Sequence, residues 1–186
     1  MAFSSLAEID NYMKENTCEF WEAVIREEAR DSQQPEMDIV NRMTQMYRAM
    51  KEADETYDDT LTSHSGLSGK NGKRMADYAA THKCMCGEFG GAVMARAIKM
   101  AESNACMKRI VAAPTAGSCG VVPAILITYE RMTNTSENDM VKALFVAAGI
   151  GDVIARRASV SGARGGCQAE IGASSAMAAG ALAWLK

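Results

Sequence analysis

The chain has 186 residues, 48% of them hydrophobic and 23% charged, which is the composition of one folded domain and excludes a disordered segment. With 14 methionines, 6% aromatics and only three prolines, it favours closely packed helices over a β-sandwich or barrel. A formal net charge of −3 provides no basic field, so neither nucleic acid nor a membrane surface is an expected partner. No basic stretch followed by an apolar run opens the sequence, and no segment approaches the roughly 18 apolar residues of a spanning helix, so a cytoplasmic location is expected.

Every one of the 15 glycines lies at Gly66 or later, which separates a glycine-free segment, residues 1–61, from a glycine-rich portion, residues 62–186. In the first, Ser5 and Glu8 have the spacing of a capping box. Leu6, Ile9, Met13, Phe20, Val24 and Ile25 form a helical stripe running to about Arg30. Residues 31–35 break it, and Ile39, Met43, Met46 and Met50 recur at helical spacing, so a helical hairpin is expected. Residues 62–72, TSHSGLSGKNG, read as a loop. Helices are expected over residues 73–82 and 87–105, the second lined by small residues that admit a close neighbour. Residues 109–113 fit a short strand or a helix end. PTAGSCGVVP, residues 114–123, is a second irregular segment leading into a helix over 124–132, with Pro123 as its first residue. Ser136 and Asp139 cap the next helix, which runs to about Arg157. A third glycine segment, SVSGARGGCQ, precedes a last helix from Glu170.

Three glycine and hydroxyl loops, each before a helix start, suit the capture of a small anion by free backbone N–H groups. None has the spacing of a Walker A loop or a dinucleotide fingerprint. The fold class expected is therefore mainly α, a multi-helix bundle whose loops at residues 66–72, 114–120 and 162–167 converge on one cleft. Thr115 and Ser118 are the candidate substrate-side hydroxyls, with Lys70 as a charge partner. Cys167 follows Gly165 and Gly166 at a helix start, where the positive helix end favours thiolate, a setting for a soft-metal ligand. Cys84 and Cys86 form a C-x-C too short for the common zinc spacing, and Cys18 and Cys106 read as packing residues. His64 and His82 are the only histidines, and without a nucleophile elbow they do not suggest a hydrolase triad.

Three motifs carry a resemblance. HSGLSGKNGKRM (64–75), APTAGSCGVVPAIL (113–126) and SVSGARGGCQAEIGASSAMAAGAL (159–182) resemble the α chain of iron–sulphur-dependent bacterial L-serine dehydratase over essentially the whole chain. The resemblance implies a largely helical catalytic α domain, of which these residues correspond to the N-terminal two-thirds. It implies a [4Fe–4S] cluster on three cysteines, of which Cys167 alone is matched here, the remaining ligands being expected beyond residue 186. It also implies dehydration and deamination of L-serine to pyruvate and ammonia, with an open iron as Lewis acid and no pyridoxal phosphate. A β chain supplying the base and an oligomeric enzyme are the implied partners, and the chain alone is expected to be inactive. A related lyase acting on threonine or cysteine, or a non-catalytic helical module that binds small anions, are the alternatives.

Overall fold

The computed structural model describes residues 3–186, which are 72% helical with eight α-helices and no strand. The helices are α1 (Leu6–Asn16), α2 (Phe20–Ser32), α3 (Glu36–Glu55), α4 (Asn71–Ala79), α5 (Gly87–Ala105), α6 (Val121–Thr133), α7 (Glu137–Arg157) and α8 (Gly162–Leu185), with one 3₁₀ turn at Ala116–Ser118. The mainly α expectation therefore holds. Residues 109–113 form no strand, because five extended residues without a partner strand leave their backbone groups unpaired.

The single helix expected from Ser5 to Arg30 is two helices. Thr17 turns left-handed at φ 47° and closes α1, its N–H bonded to Met13 O. Glu19 and Glu22 then start α2 with a reciprocal capping box, a job that sequence assigned to Ser5 and Glu8. At Ser5 half of that box is built: Ser5 Oγ accepts from the N–H of Glu8, but the Glu8 carboxylate turns to Ser4. Cys18 consequently lies between α1 and α2 and not within a helix, packed beside Ile9, Ala23 and Val153.

The chain divides into two compact units, residues 1–47 with 136–186, and residues 48–135. Since α3 spans the boundary at Tyr47, the glycine-free segment does not coincide with either unit. In the first unit α7 packs on α2 and on α8. Gly149 permits the α2 approach, since a Cβ there would stand 2.6 Å from Val24 Cγ2. Its core side chains include Ile9, Met140, Leu144 and Ala178, whose transfer from water provides about 1.5–3 kcal/mol for each large side chain. In the second unit α5 packs on α4 and α6, and a Cβ at Gly120 would fall 2.6 Å from the carbonyl of Ala97.

The glycine run at residues 162–167 is part of α8 and not a loop, and the helix begins eight residues before Glu170. Arg164 N and Gly165 N bond Ser161 O, forming a first turn. Gly166 interrupts it at φ 69°, ψ −175°, a conformation open essentially to glycine alone. The helix resumes at Cys167. Beyond it, Ala173, Ser174, Met177, Ala178 and Ala181 are buried. Trp184 Nε1 reaches Glu19 Oε2 at 3.2 Å, so much of the apolar C-terminal run has partners within its own unit.

Candidate functional site

The first glycine loop organises itself through hydroxyls. Ser63 N bonds Ser68 O at 2.8 Å, Gly66 N bonds Ser63 O at 2.8 Å, and Ser68 N bonds Ser63 Oγ at 3.1 Å. Gly66 has φ +75° and Gly69 φ +147°, which explains two of the glycines. Lys70 follows in the left-handed region at φ 68° and stands exposed at the N-cap of α4, without a side-chain capping bond. His64 is exposed on the same loop.

The helix start behind this loop is already occupied. The carboxylate of Glu102, from the last turn of α5, accepts from Asn71 N at 2.8 Å and from Gly72 N at 3.0 Å. It also accepts from Tyr57 Oη at 2.7 Å. Glu102 is 5% exposed. Burial pushes its carboxyl up, but the bonds from Tyr57, Gly72 and Asn71 outweigh burial and hold it below the ordinary value. Burial, and then the Glu102 bond, push the Tyr57 hydroxyl up to about 12. Two N–H groups that could have held a substrate carboxylate are thus bound to an internal one. Sequence reasoning missed Glu102, although an acid in the last turn of a helix opposes the helix dipole and so signals a partner elsewhere.

The second loop is drawn inward. Ser118 is 1% exposed, its hydroxyl 3.2 Å from Thr115 Oγ1 and within 3.4 Å of the carbonyls of Ala113 and Thr115. Ser118 therefore builds the turn, and Thr115, half-buried, is the more accessible hydroxyl. Cys119 is buried against Met100 O, and burial pushes its thiol up, the setting of an unreactive cysteine. Asn104 Nδ2 holds Ala116 O at 3.1 Å, so one turn of α5 anchors both this loop and, through Glu102, the first.

Cys167 is exposed and is the first residue after the Gly166 break, a helix start as the sequence suggested. Ser161 N donates to Ser159 Oγ at 3.1 Å, and the Ser161 hydroxyl, at the N-cap of α8, makes no capping bond. Beside this turn lies a shallow groove, with Ile154, Ala158, Gly165 and Gln168 on its walls. As for a cluster, the described residues bring no three His, Cys, Asp or Glu side chains together for a metal. They offer one exposed thiol there, which by itself does not fit an iron–sulphur cluster, a group held by several cysteine thiolates.

Sequence comparison decides the family. The profile described as serine dehydratase alpha chain matches residues 15–186. The chain belongs to this family. It is 34% identical to the probable L-serine dehydratase, alpha chain, of Bacillus subtilis over 97% of this chain and 60% of that protein. It is 36% identical to the L-serine dehydratase, alpha chain, of Peptoniphilus asaccharolyticus over 94% of this chain and 60% of that one. With L-serine dehydratase 1 of Escherichia coli it shares 44% identity over 48% of this chain and 20% of the other. The chain thus spans about 60% of the length of the two alpha chains. No solved structure matches it. Among the described residues no helix is long and apolar enough to cross a membrane.

Proposed function

We propose that this chain contributes to an L-serine dehydratase that converts L-serine to pyruvate and ammonia in the cytoplasm together with a β chain. Family membership supports serine dehydration. The observation that carries the finer reading is the position of Cys167, exposed at a helix restart that the Gly166 break creates. In this reading Cys167 is the one thiolate the chain gives to a [4Fe–4S] cluster, whose other ligands come from outside the described residues.

The chain's own residues have distinct parts. Thr115 contacts the substrate through its hydroxyl, and Ser118 acts by holding Thr115 in place. Lys70, exposed and left-handed at the mouth of the first loop, offers its ammonium to the substrate carboxylate. Glu102 keeps the α4 start rigid behind it. In enzyme assembled with its partner chain without oxygen, Cys167→Ser abolishes cluster absorbance and serine turnover together, while Cys18→Ser spares both. Equal loss from the two variants would assign Cys167 to stability and overturn the reading.

A further inference from the structure

The break at Gly166 folds the first turn of α8 back on the rest of the helix. Residues eight apart on an unbroken helix stand about 12 Å apart along its axis, out of reach of a glutamate side chain. Glu170 nevertheless meets Gly162: a Cβ on Gly162 would lie 2.8 Å from both Cδ and Oε2 of Glu170 and 3.2 Å from its Oε1. Gly165 records the same fold-back, since a Cβ there would stand 2.6 Å from the Cβ of Ala169, where helical residues four apart keep about 5–6 Å. Two glycines therefore leave space for side chains from beyond the break.

The contact closes the base of an exposed segment. Residues 163–168, Cys167 among them, are exposed, whereas Gly162, Ala169 and Glu170 at its two ends are half-buried. The end at Glu170 is firm: the hydroxyl of fully buried Ser174 donates to Glu170 O at 3.0 Å, and Ala173 and Met177 are buried beside it in sequence. The other end is a single helical turn, too short to hold its shape alone, and Ser161 gives it no side-chain cap. The N–H groups that open a helix have no acceptor within it, and the positive helix end favours a carboxylate. The carboxylate of Glu170 lies against that turn.

We propose that Glu170 is a positioning residue for Cys167: its carboxylate clasps the first turn of α8 across the break and so sets where the thiol on the exposed segment stands. The bearing on turnover rests on the reading above that Cys167 serves the serine chemistry. Gly162 belongs to the same device, because a side chain there would take the place of the carboxylate.

The test has two arms. In the 186-residue chain, hydrogen exchange is followed at the amides of Arg164 and Gly165, which bond Ser161 O. Glu170→Ala is expected to speed this exchange about tenfold, the scale on which loss of one local contact shifts an opening equilibrium, while the amides of α7 keep their protection. Gly162→Ala should do the same, and the double variant should do no more than either alone. Glu170→Gln, which keeps an acceptor at the same reach, should restore most of the protection. Gly172→Ala, whose Cβ would meet nothing within 4 Å, should leave it unchanged. In enzyme assembled with its partner chain without oxygen, Glu170→Ala should lower kcat for serine about tenfold at little changed KM, as misplacement of a reacting group does, and Glu170→Gln should recover it. Unchanged exchange in Glu170→Ala, additive effects in the double variant, or unchanged kcat beside a loosened turn would each overturn the proposal. Serine turnover that survives Cys167→Ser would instead overturn the function proposed above, and the clasp measured in the isolated chain would stand.

Discussion

Among the helix starts that follow glycine-rich sequence, two have opposite fates. At α4 the N–H groups of Asn71 and Gly72 are bound by the buried carboxylate of Glu102. At residue 167 the helix restarts with an exposed cysteine in first place, preceded by Gly166, which has no side chain to cap it. The local pattern is the same, glycine then helix. Whether such a start is structural or available for chemistry depends on what the rest of the fold brings to it, and a carboxylate 30 residues away settled the first case.

Removing the internal anion should break this contrast most severely. Glu102→Ala leaves two backbone donors and the Tyr57 hydroxyl without an acceptor in a buried place, a loss of about 3 kcal/mol or more of stability by urea unfolding. The same carboxylate sets an acid limit. Its value in the folded protein lies below the ordinary 4.5, so its contribution is complete above 4.5 and is lost as pH falls through the lowered value. Glu102→Gln should remove that part of the acid dependence in a pH series of melting curves. Tyr57 has the opposite sign: raised from 10.0 to about 12, it favours the fold below pH 10 and loses that contribution as pH rises through about 12. Tyr57→Phe should flatten the alkaline limb.

At the other start, Gly166→Ala adds no clash, since a Cβ there meets nothing within 4 Å. Its cost is conformational, about 1–3 kcal/mol at a backbone geometry that alanine resists. A thermal melt checks the cost, and a changed alkylation rate at Cys167 would show that the break presents the thiol. The smallest effect is expected at a helix start that is conventionally capped. Ser136→Ala removes the acceptor for Asp139 N and should cost about 1 kcal/mol in the same unfolding assay.

Much of the fold is legible in local sequence. Both ends of α5 and the Ser136 cap of α7 follow from small-residue spacing and capping chemistry. What is not legible is set by single backbone choices or by distant partners. Thr17 in a left-handed turn splits α1 from α2 although the apolar stripe continues across it. Residues 162–165 become helical despite two glycines because Ser161 O accepts from two successive N–H groups. At the site, the exposed Cys167 was readable from the glycines before it. The inward turn of Ser118 and the bond between Glu102 and α4 were not, since each depends on contacts that local sequence does not encode. Glu102 lies in a polar stretch, Glu102–Ser103–Asn104, that local pattern assigns to solvent, yet two of the three are buried.

In the function proposed above, Cys167, exposed in the chain alone, becomes a ligand in the assembled enzyme. Site-resolved alkylation with iodoacetamide, read by mass spectrometry, tests it directly. In the isolated chain Cys167 should label readily while buried Cys119 does not. In active enzyme assembled without oxygen, Cys167 should become protected in step with serine turnover. Equal labelling of Cys167 in the isolated chain and in the fully active enzyme would overturn the ligand role of Cys167.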